Sequence, residues 1–183
     1  MVKNIIGIFF LLLLCNCTTK EKKEHASKDT ASTAGVSKAN RSIGDVPIYD
    51  FDGLEPLLHR KDDKTYIINF WATWCAPCIK ELPYFEKINS EQKDNNVEVI
   101  LVSLDMPKMW ESQLIPFIAK KDLKSKVVIL DDPKQNSWIP KVDKDWSGAI
   151  PATIIYNRDK RSFFEQSFSY DELKSSLGEF LEQ

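Results

Sequence analysis

Thr65-Tyr66-Ile67-Ile68-Asn69-Phe70-Trp71-Ala72-Thr73-Trp74-Cys75-Ala76-Pro77-Cys78 is the stretch whose reading decides the fold. Its first seven residues are β-branched and aromatic, the pattern of a strand buried on both faces. The strand runs directly into a loop, 72–75, and a helix is expected over 76–88. Pro77 falls in the first turn of that helix, where a missing N–H costs nothing.

Working outward, 97–104 and 127–130 read as two further buried strands. Between them 111–121 is amphipathic and helical, with Pro116 expected to kink it or shift its start. Residues 152–156 form a fourth strand. The polar turn 157–160 then leads to a fifth, 162–168, pairing back as a hairpin. The chain closes in a helix over 170–181, with Leu173, Leu177, Phe180 and Leu181 at helical spacing. Ahead of the deciding stretch, 46–51 reads as a short edge strand, because Pro47 is tolerated there and not in a central strand. A short helix follows, ending near His59, which reads as a surface position. The order strand–helix–strand–helix–strand, then hairpin and helix, describes an α/β domain with a mixed sheet and helices on both faces. Residues 133–147, with Trp138, Ile139, Pro140 and Trp146, carry no assignable pattern; they read equally as a groove lining and as a packed loop.

Two cysteines separated by two residues at a helix start can close a small disulfide ring. Cys75 stands where unpaired N–H groups and the helix dipole favour negative charge. Its thiol is therefore expected to ionise below the free value of about 8.5. The thiolate is the attacking species in disulfide exchange, which makes Cys75 the nucleophile and Cys78, one turn deeper, the resolving thiol. Zinc is disfavoured, because no second cysteine pair and no histidine stands near; the chain has only two histidines, His25 and His59.

The 183 residues, 43% hydrophobic and 28% charged with a formal net charge of -2, suit one soluble domain with terminal additions. Charges of both signs are interspersed, so no clustered basic face points to nucleic acid. No nicotinamide or flavin motif appears, and no cofactor is expected. Residues 1–17 read as an export signal: Lys3 supplies the charge, and 5–14 is an apolar run too short to span a bilayer. A cysteine just past such a run, followed by Thr18, Thr19, Lys20, Glu21 and Lys22, resembles a bacterial lipoprotein signal. Cys17, with Leu14 three residues ahead, fits the lipidated position better than Cys15. Residues 18–44 lack apolar periodicity and read as a flexible polar linker. The folded domain is expected over 45–183.

Phe70-Trp71-Ala72-Thr73-Trp74-Cys75-Ala76-Pro77-Cys78-Ile79-Lys80-Glu81-Leu82-Pro83 resembles the active-site segment of thioredoxin-like proteins, in particular the membrane-anchored TlpA/ResA group of extracytoplasmic thiol–disulfide oxidoreductases. The likeness extends over roughly 45–183, and its fold, a central sheet flanked by helices, agrees with the order of elements. It implies that Pro151, directly before the strand 152–156, is a cis-proline facing the disulfide. Ile150 would then offer backbone contacts to a substrate peptide, with Trp74, Ala76 and Pro77 beside it. It implies that Glu81 helps move a proton near the thiols; three residues past Cys78, it projects from the same helical face. A partly buried carboxyl of raised pKa suits that task. The resemblance further implies reduction of disulfides in exported proteins at the cell envelope, by a lipid-anchored protein recharged by a membrane thiol–disulfide electron donor. An oxidant or isomerase with the same residues, and a non-catalytic peptide-binding module, are the alternatives. A peroxidase fits less well, because Ala72 stands where such enzymes carry a threonine. Trp71 and Trp74 are expected to pack around the site and control access to it.

Overall fold

The structure, a computed structural model, describes residues 41–181. The expected leader, Cys17 and most of the linker lie outside the described residues. In chain order, a short strand Arg41–Ile43 (β1) precedes Val46–Tyr49 (β2), a single helical turn Phe51–Leu54 (α1) and a 3-10 turn Glu55–Leu58. Then come Thr65–Trp71 (β3), Ala76–Glu91 (α2) and Val97–Ser103 (β4). A helical stretch follows in three parts: Pro107–Met109 (α3), a π-helical Trp110–Leu114, and Ile115–Lys121 (α4). Lys126–Leu130 (β5), Gln135–Val142 (α5), Ala152–Tyr156 (β6), Arg161–Phe164 (β7) and Tyr170–Leu181 (α6) complete it.

The seven strands among the described residues form one mixed sheet in the order β1-β2-β5-β4-β3-β6-β7. Neighbours β2, β5, β4 and β3 run parallel; β6 and β7 run antiparallel on one side and β1 on the other. All seven residues of β3 are buried, because it is central and both faces are covered. On one face α2 and α6 pack Leu82, Phe85, Ile88, Leu173, Leu177 and Phe180 against Ile67, Val99 and Leu101. On the other, α1 and α5 contribute Phe51, Leu54, Trp138 and Val142 against Ile68, Phe70 and Ile100. Burial of such side chains stabilises by roughly 1.5–3 kcal/mol each. No helix among the described residues is long and apolar enough to cross a membrane.

Several elements differ from expectation, each for a local reason. Among the described residues Arg41–Ile43, ahead of the expected boundary at Asp45, is already a strand, so the end of the 18–44 segment belongs to the sheet. Gly44, at φ +56°, opens the hairpin loop that joins β1 to β2, a conformation glycine adopts without steric cost. With β1 outside it, β2 is not an edge strand. Pro47 is accommodated because the parallel pairing to β5 uses only Ile48 and Tyr49, past the proline. Pro116 sits in the first turn of α4, and the helix ahead of it widens into π turns. The unassigned 133–147 contains α5, which tolerates Pro140 in its interior. Trp138 and Trp146 are buried against Phe51 and Phe70, and so belong to the core and not to a groove. Strand β7 stops at Phe164, short of the expected 168, and Leu181 is 37% exposed at the end of α6 instead of in the core.

Candidate functional site

Topology alone gathers the chemistry. The parallel strands β3 and β4 end side by side, with Trp71 opposite Ser103, and the loop to α2 leaves from there. Because β6 runs antiparallel to β3, its first residue Ala152 pairs with Phe70. The loop carrying Pro151 therefore arrives at the same end of the sheet as Cys75. The crevice outside the carboxyl ends of parallel strands is where open α/β sheets place their ligands.

Cys75 and Cys78 are joined in a disulfide with Cα atoms 5.3 Å apart. Cys75 is the N-cap of α2 and its Sγ accepts the Cys78 N–H at 3.3 Å, one of the helix donors that has no partner within the helix. The same donor and the helix dipole favour a thiolate at Cys75 once the disulfide is reduced. Cys75 is 5% exposed and Cys78 fully buried, so an incoming sulfur meets Cys75 first. The Ile150–Pro151 peptide bond is cis, and the Ile150 carbonyl oxygen lies 3.7 Å from Cys75 Sγ. Ala76 and Pro77 are exposed on the rim and Ile150 is half-buried. Trp74 is 56% exposed and walls an open cleft of about 600 Å³ with Met106, Lys108, Met109 and Gln113. Trp71, expected to share control of access, is fully buried in the core beneath the site, so only Trp74 faces outward.

Glu81 is 1% exposed. Its Oε1 accepts Asn69 Nδ2 at 3.0 Å and its Oε2 accepts the Phe168 N–H at 2.7 Å. Burial pushes the carboxyl up to about 7, against the pull of those two donors. The acid expected to be partly buried on the Cys78 face of the helix is almost wholly enclosed. The shift carries a stability consequence. Between pH 4.5 and about 7 the folded protein holds a proton that the unfolded chain has released. The stabilisation is thus full below the lower value and lost as pH rises through the upper one. At about 1.4 kcal/mol per unit, reduced because Glu81 borders a solvent-open cleft, the loss comes to about 2 kcal/mol. Urea denaturation of the oxidised protein at pH 5 and pH 8 should show the wild type losing that much relative to Glu81→Gln. Parallel behaviour of the two proteins refutes it.

Two functional positions escaped the sequence reading. Asn69 is fully buried in the middle of β3, and Nδ2 also stands 3.0 Å from Thr153 Oγ1 on β6. Its signal was a lone amide inside an otherwise apolar buried strand. Asp105, 2% exposed, follows β4 and ties down the loop in front of the cysteines. Its carboxylate accepts the Thr73 N–H (3.1 and 3.2 Å), the Thr73 hydroxyl (2.5 Å) and the Ser103 hydroxyl (2.9 Å). An acidic residue just past a buried strand, at the end where sites form, was the available signal.

Residues 51–161 match the AhpC/TSA family. Over 194 residues, 100% of this chain and 98% of the relative, the sequence is 27% identical to thiol-disulfide oxidoreductase ResA of Bacillus thuringiensis subsp. konkukian. Against ResA of Bacillus cereus it is 34% identical over 133 residues, 70% of this chain and 72% of the relative. A secreted thiol-disulfide isomerase from Corynebacterium glutamicum superimposes with a TM-score of 0.56 at 19% identity, covering 67% of this chain and 73% of that one. A thiol:disulfide interchange protein from Chlorobium tepidum gives 0.54 at 17% identity over 65% and 81%. These two structural likenesses establish the thioredoxin-like fold.

Proposed function

The chain belongs to the AhpC/TSA family and is a thiol–disulfide oxidoreductase of the ResA kind; from that premise we propose that it reduces disulfides of exported proteins, outside the cytoplasm and tethered to a membrane. The observation that carries the reading is the disulfide seated at the mouth of α2, with the Ile150 carbonyl 3.7 Å from its outer sulfur. In the reduced protein the Cys75 thiolate attacks one sulfur of a substrate disulfide. That bond breaks, a mixed disulfide forms on Cys75, and the departing substrate thiolate takes a proton. Cys78 then gives its proton to the Glu81 carboxylate and attacks Cys75 Sγ. The second substrate thiolate leaves, and the Cys75–Cys78 disulfide remains. Two electrons have passed to the substrate, and a membrane dithiol donor returns them.

Substrate polypeptide lies across the rim formed by Trp74, Ala76 and Pro77, against the Ile150 and Pro151 backbone. The open cleft beside Trp74, apolar through Met106 and Met109, takes a side chain next to the substrate cysteine. Cys17 carries the lipid anchor, and no cofactor takes part.

A redox titration of the full chain tests the direction. A reductant requires a midpoint near the roughly −270 mV of a general dithiol donor, and a value near about −120 mV overturns it in favour of an oxidant. For the tether, Cys17→Ala should move the chain from the membrane fraction to the soluble one, and an unchanged distribution removes that part of the proposal.

A further inference from the structure

Asn69 stands within the apolar run of β3, with Ile68 on one side and Phe70 on the other. Its carboxamide is fully buried in β3, yet only one end of it is used. Nδ2 donates to Glu81 Oε1 and to Thr153 Oγ1, both at 3.0 Å, while Oδ1 has no hydrogen-bond partner. A buried amide with an idle oxygen is costly to keep in a strand where an apolar side chain would pack without penalty.

We propose that Asn69 is the positioning residue for Glu81, a two-sided partner that presents Nδ2 to the ionised carboxyl and, after a half-turn of its amide, Oδ1 to the protonated one. It rests on the reading that Glu81 exchanges a proton with Cys78. In the arrangement seen, both Glu81 oxygens accept: Oε1 from Asn69 and Oε2 from the Phe168 N–H. That is the pattern of a carboxylate. The Phe168 donor is backbone and cannot turn, so a proton arriving on Glu81 must sit on Oε1, where it would face the Asn69 NH₂ donor to donor.

Rotation about Cβ–Cγ resolves the conflict. Oδ1 takes the place of Nδ2 and accepts the new Glu81 O–H. The Thr153 hydroxyl, which accepts from Nδ2 in one state, turns to donate to Oδ1 in the other. The oxygen and NH₂ ends of an amide are nearly equal in size, so the half-turn displaces no neighbour. Each state leaves one end of the amide unpaired, oxygen when Glu81 is ionised and NH₂ when it is protonated. The two costs largely offset, and neither form of Glu81 is locked in.

The other groups around Glu81 do not fill this role. On α2 they are Cys78, the exposed Lys80 and the half-buried Tyr84; the loop before α6 offers Ser167 and Ser169. Lys80, Tyr84, Ser167 and Ser169 line a small cleft of about 230 Å³ with Glu81. None of them hydrogen-bonds to its carboxyl, and Ser169 is taken up by Glu172 on α6. Burial, which holds the Glu81 carboxyl near 7, makes both forms available at neutral pH.

The test follows the Asn69 side-chain amide of the full-length oxidised protein by NMR from pH 5 to pH 9. Expected are contacts from the NH₂ protons to the Thr153 methyl that are strong at high pH. They should fall several-fold at low pH, with the same midpoint as the Glu81 carboxyl carbon. Glu81→Gln, which offers an NH₂ where the acid offers its proton, should hold the low-pH pattern at every pH. Asn69→Leu, which removes both ends, should raise the carboxyl midpoint by about one unit, a tenfold gain in proton affinity, because a donor to a charged group counts for more than one to a neutral group. An amide that keeps its Thr153 contacts across the range overturns the proposal, whatever Asn69→Leu does. The oxidised protein has no thiol at the site, so this result is separate from the Glu81–Cys78 reading. That reading fails instead if Glu81→Gln leaves the pH profile of disulfide exchange unchanged.

Discussion

Cys75→Ser lowers the rate of insulin disulfide reduction by on the order of a thousandfold or more, while Cys78→Ser keeps the first step and accumulates mixed disulfides. The asymmetry follows from burial and from the helix start. Cys75 is the sulfur that a substrate meets, and its Sγ accepts the Cys78 N–H in the position of an N-cap. A serine there accepts the same N–H and preserves the helix. Its hydroxyl, however, stays protonated at neutral pH and supplies no nucleophile. A thousandfold loss corresponds to about 4 kcal/mol of transition-state stabilisation, removed with one atom exchanged and the cap intact. Cys78 is fully buried behind Cys75, so its loss leaves the attack unimpeded and blocks only the release. Turbidity assays give the first result; electrophoresis without reductant, showing bands of enzyme plus substrate that a thiol dissolves, gives the second. Retention of exchange within tenfold of wild type by Cys75→Ser, or mixed disulfides forming on Cys78 in its place, would refute the assignment.

What the chain disclosed in advance divides along sequence separation. Strand β3, the loop to α2 and Pro77 at the helix start are set by neighbours a few residues apart, and residue type and first-turn chemistry read them well. β6 lies over the expected 152–156, and α6 over the expected 170–181, where helical spacing placed it. Glu81 was visible as an acid on the Cys78 face of α2, and its partial burial was expected, but the partners that hold it were not. The Phe168 N–H that holds it is 87 residues away and the Asn69 amide 12. The same long-range bond explains why β7 ends early, since a chain that delivers Phe168 to α2 cannot stay paired to β6. Asn69 and Thr153, 84 residues apart, meet because the antiparallel register sets them opposite each other, which no local pattern shows. β1 was missed for another reason. With Arg41 and Ser42 it has no apolar pattern of its own, and it is held by pairing with β2 and by Arg41 lying over the Trp110 ring at 5.1 Å. The segment 133–147 hid a helix because Pro140 argues against one locally, while the Trp138 and Trp146 packing that sustains it is tertiary.

Asp105→Ala is expected to destabilise the oxidised protein by about 3–4 kcal/mol and to slow disulfide exchange by roughly tenfold. Nothing about Asp105 touches a sulfur in this structure; its effect passes through the loop. The Thr73 N–H, the Thr73 hydroxyl and the Ser103 hydroxyl all donate to its carboxylate. An alanine leaves those three donors facing one another where water enters poorly. Each unsatisfied buried donor costs about 1–3 kcal/mol, and partial relaxation of the exposed end of the loop brings the sum below the simple total. The Asp105 backbone carbonyl also accepts the Trp110 indole N–H at 2.6 Å, so movement here spreads to the π-helical segment. The same loop holds the Cys75 N–H on the Ala72 carbonyl at 3.1 Å and sets Trp74 outward. Loosening it therefore displaces both the nucleophile and the docking face. Asp105→Asn keeps one acceptor oxygen and turns the other into a donor against Thr73, so about half the stability loss remains. Urea denaturation read with exchange kinetics separates the possibilities. If Asp105→Ala loses stability but keeps its rate, Asp105 only braces the fold; if it changes stability by less than about 0.5 kcal/mol, the buried network has been misread.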